Sequence, residues 1–274
     1  MKQRVITGLL LTLLLVTMLC LPGWCMAIAT LIAVGFAVWE EYHALSTAGH
    51  RVVSWPTWVC LIVSIPLTWL LEIKVMVPLL AANMMITAAI IIFREEPKLE
   101  DLSMSLLPLM TVTLPGLSMV SMSLVDQKAV EVVLLSLTFT VPLVGDVFAL
   151  FVGRSLGGKK LCPAVSPNKT IAGALGGLGG SVLAAMIICA IAGSVCNAAT
   201  LAKLPQWWEY LLLGLAGGAI GQLGDLFASL VKRYSGIKDF SNLFPGHGGM
   251  LDRLDSVLFM AVLMYCYRLF FLPY

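Results

Sequence analysis

From about residue 5 to residue 271 the chain is a succession of apolar runs, each about 20 residues long, separated by short polar stretches. A bilayer core roughly 30 Å thick is crossed by about 20 apolar residues in a helix. Lipid offers the backbone no hydrogen-bond partner, so such runs cross either as helices or as strands of a closed barrel. The short alternating segments of a barrel are absent, which leaves helices. The fold expected is therefore all-α, that of a polytopic integral membrane protein. Composition agrees: 59% of residues are hydrophobic and 12% charged, with mean hydropathy +0.96, far too apolar for a soluble domain. A net charge of +2 says little about partners, and no nucleic acid is expected among them. The seven cysteines form no CxxC pair and mostly sit inside apolar runs. They read as small core residues rather than as disulfides or a zinc site.

Nine spans are expected, at about 5–22, 25–45, 55–72, 75–93, 104–124, 129–152, 171–193, 207–230 and 251–271. The first begins MKQRVITGLL, basic and then apolar like a signal peptide. No small-residue cleavage site follows directly, so it reads as a transmembrane helix. With a cytoplasmic N-terminus, one side of the membrane receives Lys2, Arg4, Arg51, Arg94, Lys98, Arg154, Lys159, Lys160, Lys169, Lys232, Arg233, Lys238 and Arg253. The other receives only Lys74, Lys128, Lys203 and Arg268 of the 17 basic residues. That asymmetry follows the positive-inside rule and supports both the count and the orientation. Residues 1–128 form an N-terminal group of about five helices. Residues 129–274 form a C-terminal region with cytoplasmic loops at 153–170 and 231–250, where the chemistry concentrates.

The N-terminal group carries little chemistry. Glu40, Glu41 and His43 read either as a site at a helix end or, the preferred reading, as a solvated helix terminus, and REEPKLED at 94–101 reads as a polar loop. In the C-terminal region Gly173, Gly176, Gly177 and Gly180 share one helical face, as do Gly214, Gly217, Gly218 and Gly221. Such faces let helix backbones approach closely, and they are expected to bring the seventh and eighth helices together.

Four aspartates, Asp146, Asp225, Asp252 and Asp255, sit in or beside these spans. A carboxylate near hydrocarbon is costly and needs a partner or a function. Asp225, Ser229, Lys232 and Arg233 fall on one helical stripe. Asp252 and Asp255 open the last helix, where a carboxylate also gains from the helix dipole. Between them runs Pro245-Gly-His-Gly-Gly249, too glycine-rich to be helical, with Lys232, Arg233, Lys238 and Arg253 flanking it. Glycines let backbone N–H groups approach an anion. Carboxylates beside bases and such a turn suggest a divalent cation bridging polyphosphate oxygens. His247 reads either as an acid, base or phosphate donor or as a structural turn residue. In the other loop Gly153, Gly158 and Lys159 nearly match a phosphate-binding P-loop. Lys160 stands where Ser or Thr should hold the metal, so that reading is rejected. Ser166 and Lys169 remain candidates for contact with phosphates or anionic headgroups.

The segment Ser229-Leu-Val-Lys-Arg233, then Lys238-Asp239, then Phe244-Pro-Gly-His-Gly-Gly-Met-Leu-Asp-Arg-Leu-Asp255 resembles the signature of phosphatidate cytidylyltransferases (CDP-diacylglycerol synthases). Asp146 with GR…GGKK…SPNKT resembles that family's second characteristic region, so the likeness covers about residues 140–260. The resemblance implies the reaction of CTP with phosphatidic acid to give CDP-diacylglycerol and pyrophosphate, with Mg²⁺ and a second, monovalent cation such as K⁺. Carried over by position, Asp225 and Asp252 are the expected metal ligands, supported by Asp255 and Asp146. Asp225 and Asp252 share the expected catalytic set with Lys232, Arg233, Lys238 and His247. Ser229, Asp239, Gly248, Gly249, Arg253, Ser166 and Lys169 are the expected substrate contacts. The expected setting is the cytoplasmic (inner) membrane, with the site facing the cytoplasm and a homodimer as the assembly. Two motifs depart from the family: Ala228 and Ala172 stand where Glu is common, and Ile171 where Trp is. A missing carboxylate there bears on a second cation site. A CTP-dependent lipid or polyprenol kinase is the alternative enzyme. A transporter is the alternative outside enzymes, but the internal repeat and midplane charges it would carry are not evident.

Overall fold

The structure, a computed structural model, describes residues 13, 16–17, 19–21, 23–71, 76–125, 127–244, 246 and 248–272. The run expected as the first span, 5–22, lies almost wholly outside the described residues. The others are helices: α1 (Gly23–Thr47), α2 (Trp55–Leu71), α3 (Met76–Ile92), α4 (Leu99–Pro108), α5 (Leu114–Ser123), α6 (Lys128–Leu156), α7 (Ile171–Val195), the short α8 (Ala198–Leu201), α9 (Trp207–Tyr234) and α10 (Leu251–Phe271). One π-helical turn, Leu109–Thr113, joins α4 to α5 into a continuous helical run. There Thr113 Oγ1 donates to the Pro108 carbonyl at 3.0 Å.

Among the described residues six helical segments are long and apolar enough to cross a membrane: α1, the α4–α5 run, α6, α7, α9 and α10. Expected spans at 55–72 and 75–93 correspond to α2 and α3, of 17 residues each. At 1.5 Å per residue such a helix reaches roughly 26 Å, just short of the hydrocarbon thickness. The chain is a helical, multi-pass membrane protein. Local chemistry sets several boundaries. Thr170 caps α7, its Oγ1 accepting from Gly173 N at 3.0 Å. The end of α9 closes at Gly236 (φ +69°), with Ile237 N donating to Lys232 O at 3.0 Å. The 153–170 loop is partly ordered as an antiparallel hairpin of β1 (Lys160–Cys162) and β2 (Ser166–Thr170), and β2 runs straight into α7.

Backbone proximity divides the chain into two compact units. The first comprises Met1–Ser121 and Val231–Leu254, so the signature-bearing segment packs with the N-terminal helices, distant in sequence. Its interior is tied by a buried polar network. The Tyr42 hydroxyl donates to the Ser105 carbonyl at 2.9 Å and lies 2.8 Å from Thr57 Oγ1. Thr57 in turn accepts from Asn83 Nδ2 at 3.3 Å, and Thr87 Oγ1 donates to Asn83 Oδ1 at 3.2 Å. Four helices are thereby linked through side chains that hydrocarbon would otherwise leave unsatisfied. Asp101, expected within a polar loop, is buried inside the first turn of α4. It accepts from Arg51 N at 3.1 Å and lies 3.6 Å from Arg94 Nη1.

The second unit comprises Met122–Leu230 and Asp255–Tyr274. Its helices meet on the predicted glycine faces, but the partners are distributed differently from the sequence expectation. Gly173 and Gly176 lie against α6: an added Cβ would come within 2.7 Å of the Ala149 carbonyl and 2.6 Å of Val152. Gly214 on α9 lies against α7, where a Cβ would meet Val182 Cα at 2.8 Å. The α7 glycine stripe thus mainly admits α6, and α9 supplies its own small residues to reach α7. Buried Ser181 joins α7 to α6 by donating to the Val141 carbonyl at 3.0 Å.

Gly176→Ala should therefore destabilise the protein. Overpacking costs roughly 1–3 kcal/mol, against up to about 1 kcal/mol gained in helix propensity. Gly179, one turn on, has open space where its Cβ would go, so Gly179→Ala should be neutral or stabilising. Thermal unfolding in detergent should show a melting point a few degrees lower for the first variant and unchanged or higher for the second.

Candidate active site

In the first unit the polar chemistry gathers at the start of α10. Asp252 lies in the first turn of that helix. Its side chain is only 4% exposed, and Lys232, 12% exposed, meets its Oδ1 at 2.6 Å. Asp252 Oδ2 accepts from Phe240 N and Gly249 N, each at 2.9 Å. Lys232 Nζ also lies 5.4 Å from the centre of the Phe240 ring, within cation–π range. Burial explains the density of partners: a carboxylate taken out of water must replace its hydration with charge and N–H donors. The glycines make this possible. Phe244 N donates to Gly248 O at 2.9 Å, closing a tight turn in which Gly248 takes φ +82°. A Cβ on Gly248 would stand 2.8 Å from Asp252 Oδ2.

A second carboxylate enters the same region. Glu40 on α1 is 1% exposed and accepts from Ser241 Oγ, Met250 N and Leu251 N at 2.5, 2.9 and 2.7 Å. Its neighbour Glu41, also 1% exposed, accepts from Thr111 Oγ1 at 2.8 Å. The expected solvated helix end at Glu40 and Glu41 is thus corrected: both carboxylates point into the unit, because helix α1 continues past them to Thr47. His43, exposed, stacks on Trp39 with ring centres 5.5 Å apart.

The second unit holds a separate constellation. Lys169, on β2, forms an ion pair with Asp225 of α9, each side chain about a quarter exposed. Ser256 N donates to Asp255 Oδ1 at 2.7 Å and Ser256 Oγ to Asp146 Oδ2 at 3.3 Å. Gly224, beside Asp225, lies so near the Asp255 carbonyl that a Cβ would be 2.5 Å from it. Helix α9 thus meets the α10 backbone closely at this level, with the Phe259 ring also packed against Gly224.

Within the first unit, then, Asp252, Lys232, Gly248 and Gly249 come together. Within the second, Asp225 joins Lys169, and Asp146 joins Asp255 through Ser256. Arg233, Lys238, Asp239 and Arg253 are exposed, and Ser166 and Ser229 are half-buried. His247 lies outside the described residues. Phe240 and Ser241 were not anticipated, and for Glu40 the solvated helix end was preferred to a site. The signal for Glu40 was present, since an acidic pair inside an apolar run is a functional pointer by default. For Phe240, whose backbone N–H does the work, the sequence holds no signal.

Each aspartate, Asp225 and Asp252, presents hard oxygen donors with an ammonium group already in contact, the position a cation would take. Among the described residues no three His, Cys, Asp or Glu side chains converge into a closed metal cage. Either carboxylate by itself suits Mg²⁺, which can be held through a single carboxylate and completes its shell with waters and substrate phosphates.

The Cytidylyltransferase family model matches residues 2–271. The chain is 46% identical over 121 residues to the phosphatidate cytidylyltransferase of Bacillus subtilis (strain 168), covering 44% of this chain and 41% of that protein. It is 41% identical over 126 residues to that of Brucella abortus (strain 2308), covering 46% and 43%. The same identity extends over 138 residues of the Haemophilus influenzae enzyme of that name (strain Rd), covering 50% and 46%. The matched region spans less than half the length of each of these relatives. A membrane-spanning helical chain, lysine-paired aspartates and a match along nearly its whole length agree: this protein belongs to the cytidylyltransferase family.

Proposed function

We propose that the protein joins CTP to phosphatidic acid, forming CDP-diacylglycerol and releasing pyrophosphate, at the cytoplasmic face of the membrane. The observation that carries this reading is the Lys232–Asp252 pair, buried at the start of an apolar helix in a member of this family. A cation and an anionic ligand held at a helix end suit a reaction whose two substrates are both anions, one lipid-bound and one water-soluble. The names of the relatives support the same choice of substrates.

In this reading a phosphate oxygen of phosphatidic acid forms a bond to the α-phosphorus of CTP. The bond from that phosphorus to the bridging oxygen of the β-phosphate breaks, and pyrophosphate leaves in line. The attacking atom is the substrate's own phosphate oxygen, so no protein nucleophile is needed. Lys232 and Lys169 neutralise phosphate charge, and the exposed Arg233, Lys238 and Arg253 draw the nucleotide toward the site. Ser229, Ser166 and Asp239 hold substrate polar groups. His247 serves in the same reading as a phosphate contact. Asp225 and Asp252, with Asp255 and Asp146 in support, would hold Mg²⁺, which when bound supplies charge neutralisation at the phosphates. A monovalent cation such as K⁺ belongs to the same reading. Positioning of the two reactants accounts for most of the remaining rate gain. The basic residues of loops 153–170 and 231–250 support a cytoplasmic site, and the same charge asymmetry supports nine spans with the N-terminus in the cytoplasm.

Purified protein in detergent, given CTP radiolabelled in its α-phosphate, phosphatidic acid and Mg²⁺, should yield labelled CDP-diacylglycerol and unlabelled pyrophosphate, and chelation should stop the reaction. Release of CDP with a phosphorylated lipid would make the protein a kinase instead. In the same assay Asp225→Asn and Asp252→Asn should each lower turnover on the order of 100-fold or more, the scale of losing one main electrostatic contact to the transition state. Wild-type turnover by either variant would remove that residue from the metal site.

A further inference from the structure

Glu40 lies on α1, outside both loops where the chemistry concentrates. Its three donors come from residues 201, 210 and 211 positions away in sequence. Two of them, Met250 N and Leu251 N, are N–H groups at the start of α10, which the helix cannot satisfy from within. A carboxylate is the favoured partner there because it also meets the positive end of the helix dipole. The preceding N–H, that of Gly249, goes to Asp252. Three consecutive backbone donors, 249 to 251, are therefore held by two carboxylates approaching from different elements. A Cβ on Gly249 would lie 2.5–2.7 Å from the Glu40 carboxyl atoms. Glycine at 249 is thus what lets Glu40 close on the backbone, as glycine at 248 does for Asp252.

Resting on the activity proposed above, we infer that Glu40 is a positioning residue for that reaction. By fixing the first turn of α10 it sets the direction in which Asp252 presents its carboxylate. The buried Glu40 makes no described contact with Lys232 or with the exposed cations, so its action on the site runs through the backbone it holds. A corollary follows for Gly249. Its N–H and the next two are taken by protein carboxylates, so these three amides are not the ones that meet substrate phosphates.

The test uses the full chain in detergent and compares wild type, Glu40→Gln and Gly249→Ala. Glutamine keeps the size of the side chain but removes its charge. The added methyl of Gly249→Ala presses on the same carboxylate from the other side. In wild type, hydrogen exchange should be slow at Met250 and Leu251 relative to the exposed Lys238 and Asp239. Fast exchange there would overturn the clamp without any variant. Both variants should raise exchange at those amides roughly tenfold or more. Both should also raise the Mg²⁺ concentration for half-maximal activity by about fivefold or more, since a displaced Asp252 binds the ion less well. A purely structural defect lowers the active fraction and leaves that Mg²⁺ midpoint where it was. Faster exchange with an unmoved midpoint therefore overturns the positioning role. Wild type that makes no CDP-diacylglycerol overturns the proposed activity, and the role of Glu40 in it. An active wild type with indifferent variants overturns Glu40 alone.

Discussion

A carboxylate buried in an apolar helix dictates what packs around it. Glu40 cannot keep its hydration where it sits, so folding must bring it donors. The start of α10 has the opposite need, because its first N–H groups have no intrahelical acceptor. Each deficit satisfies the other, and the region around Asp252 is arranged about that exchange. With the first turn of α10 fixed, Asp252 can turn back on Gly249 and Phe240 and still meet Lys232. The glycines at 248 and 249 are the steric condition for both carboxylates.

The second unit solves a different problem. Lipid is as apolar as leucine, so burying side chains drives helix association only weakly, and close backbone contact matters more. Glycine and serine faces on α6, α7 and α9 provide it, with Ser181 adding a hydrogen bond to the Val141 carbonyl. Asp225 rides on the helix so packed, and Lys169 reaches it from a hairpin strand anchored to the start of α7. The ion pair is set by tight packing beneath it and by a short strand that runs directly into a helix.

Much of this was legible in the chain. The apolar runs gave α1 to α3, α6, α7, α9 and α10 to within a few residues, because length and hydrophobicity suffice for membrane helices. That Asp225, Asp252 and Lys232 need partners was legible because ionised groups beside long apolar runs are costly and conspicuous. Burial of Glu40 and Glu41 was not. Two acids near the end of a hydrophobic run look the same whether the helix stops or continues into the protein. The partners that decide the matter lie more than 200 residues later for Glu40 and 70 residues later for Glu41. The pairing of Lys169 with Asp225 rather than with a headgroup was also open, since the two are 56 positions apart and joined only through the fold. The glycine faces were visible, but which helix each one admits was not.

The sequence by itself determined that the chain is a multi-pass helical membrane protein, because the hydrophobic effect and the cost of charge near lipid are read from composition along the chain. Tertiary structure decided which charges meet. It joined Lys232 to Asp252, Lys169 to Asp225, and an N-terminal glutamate to the start of the last helix. Hydrogen bonds reach about 3 Å and depend on direction, so their partners are set by where packed helices place two atoms and not by distance along the chain.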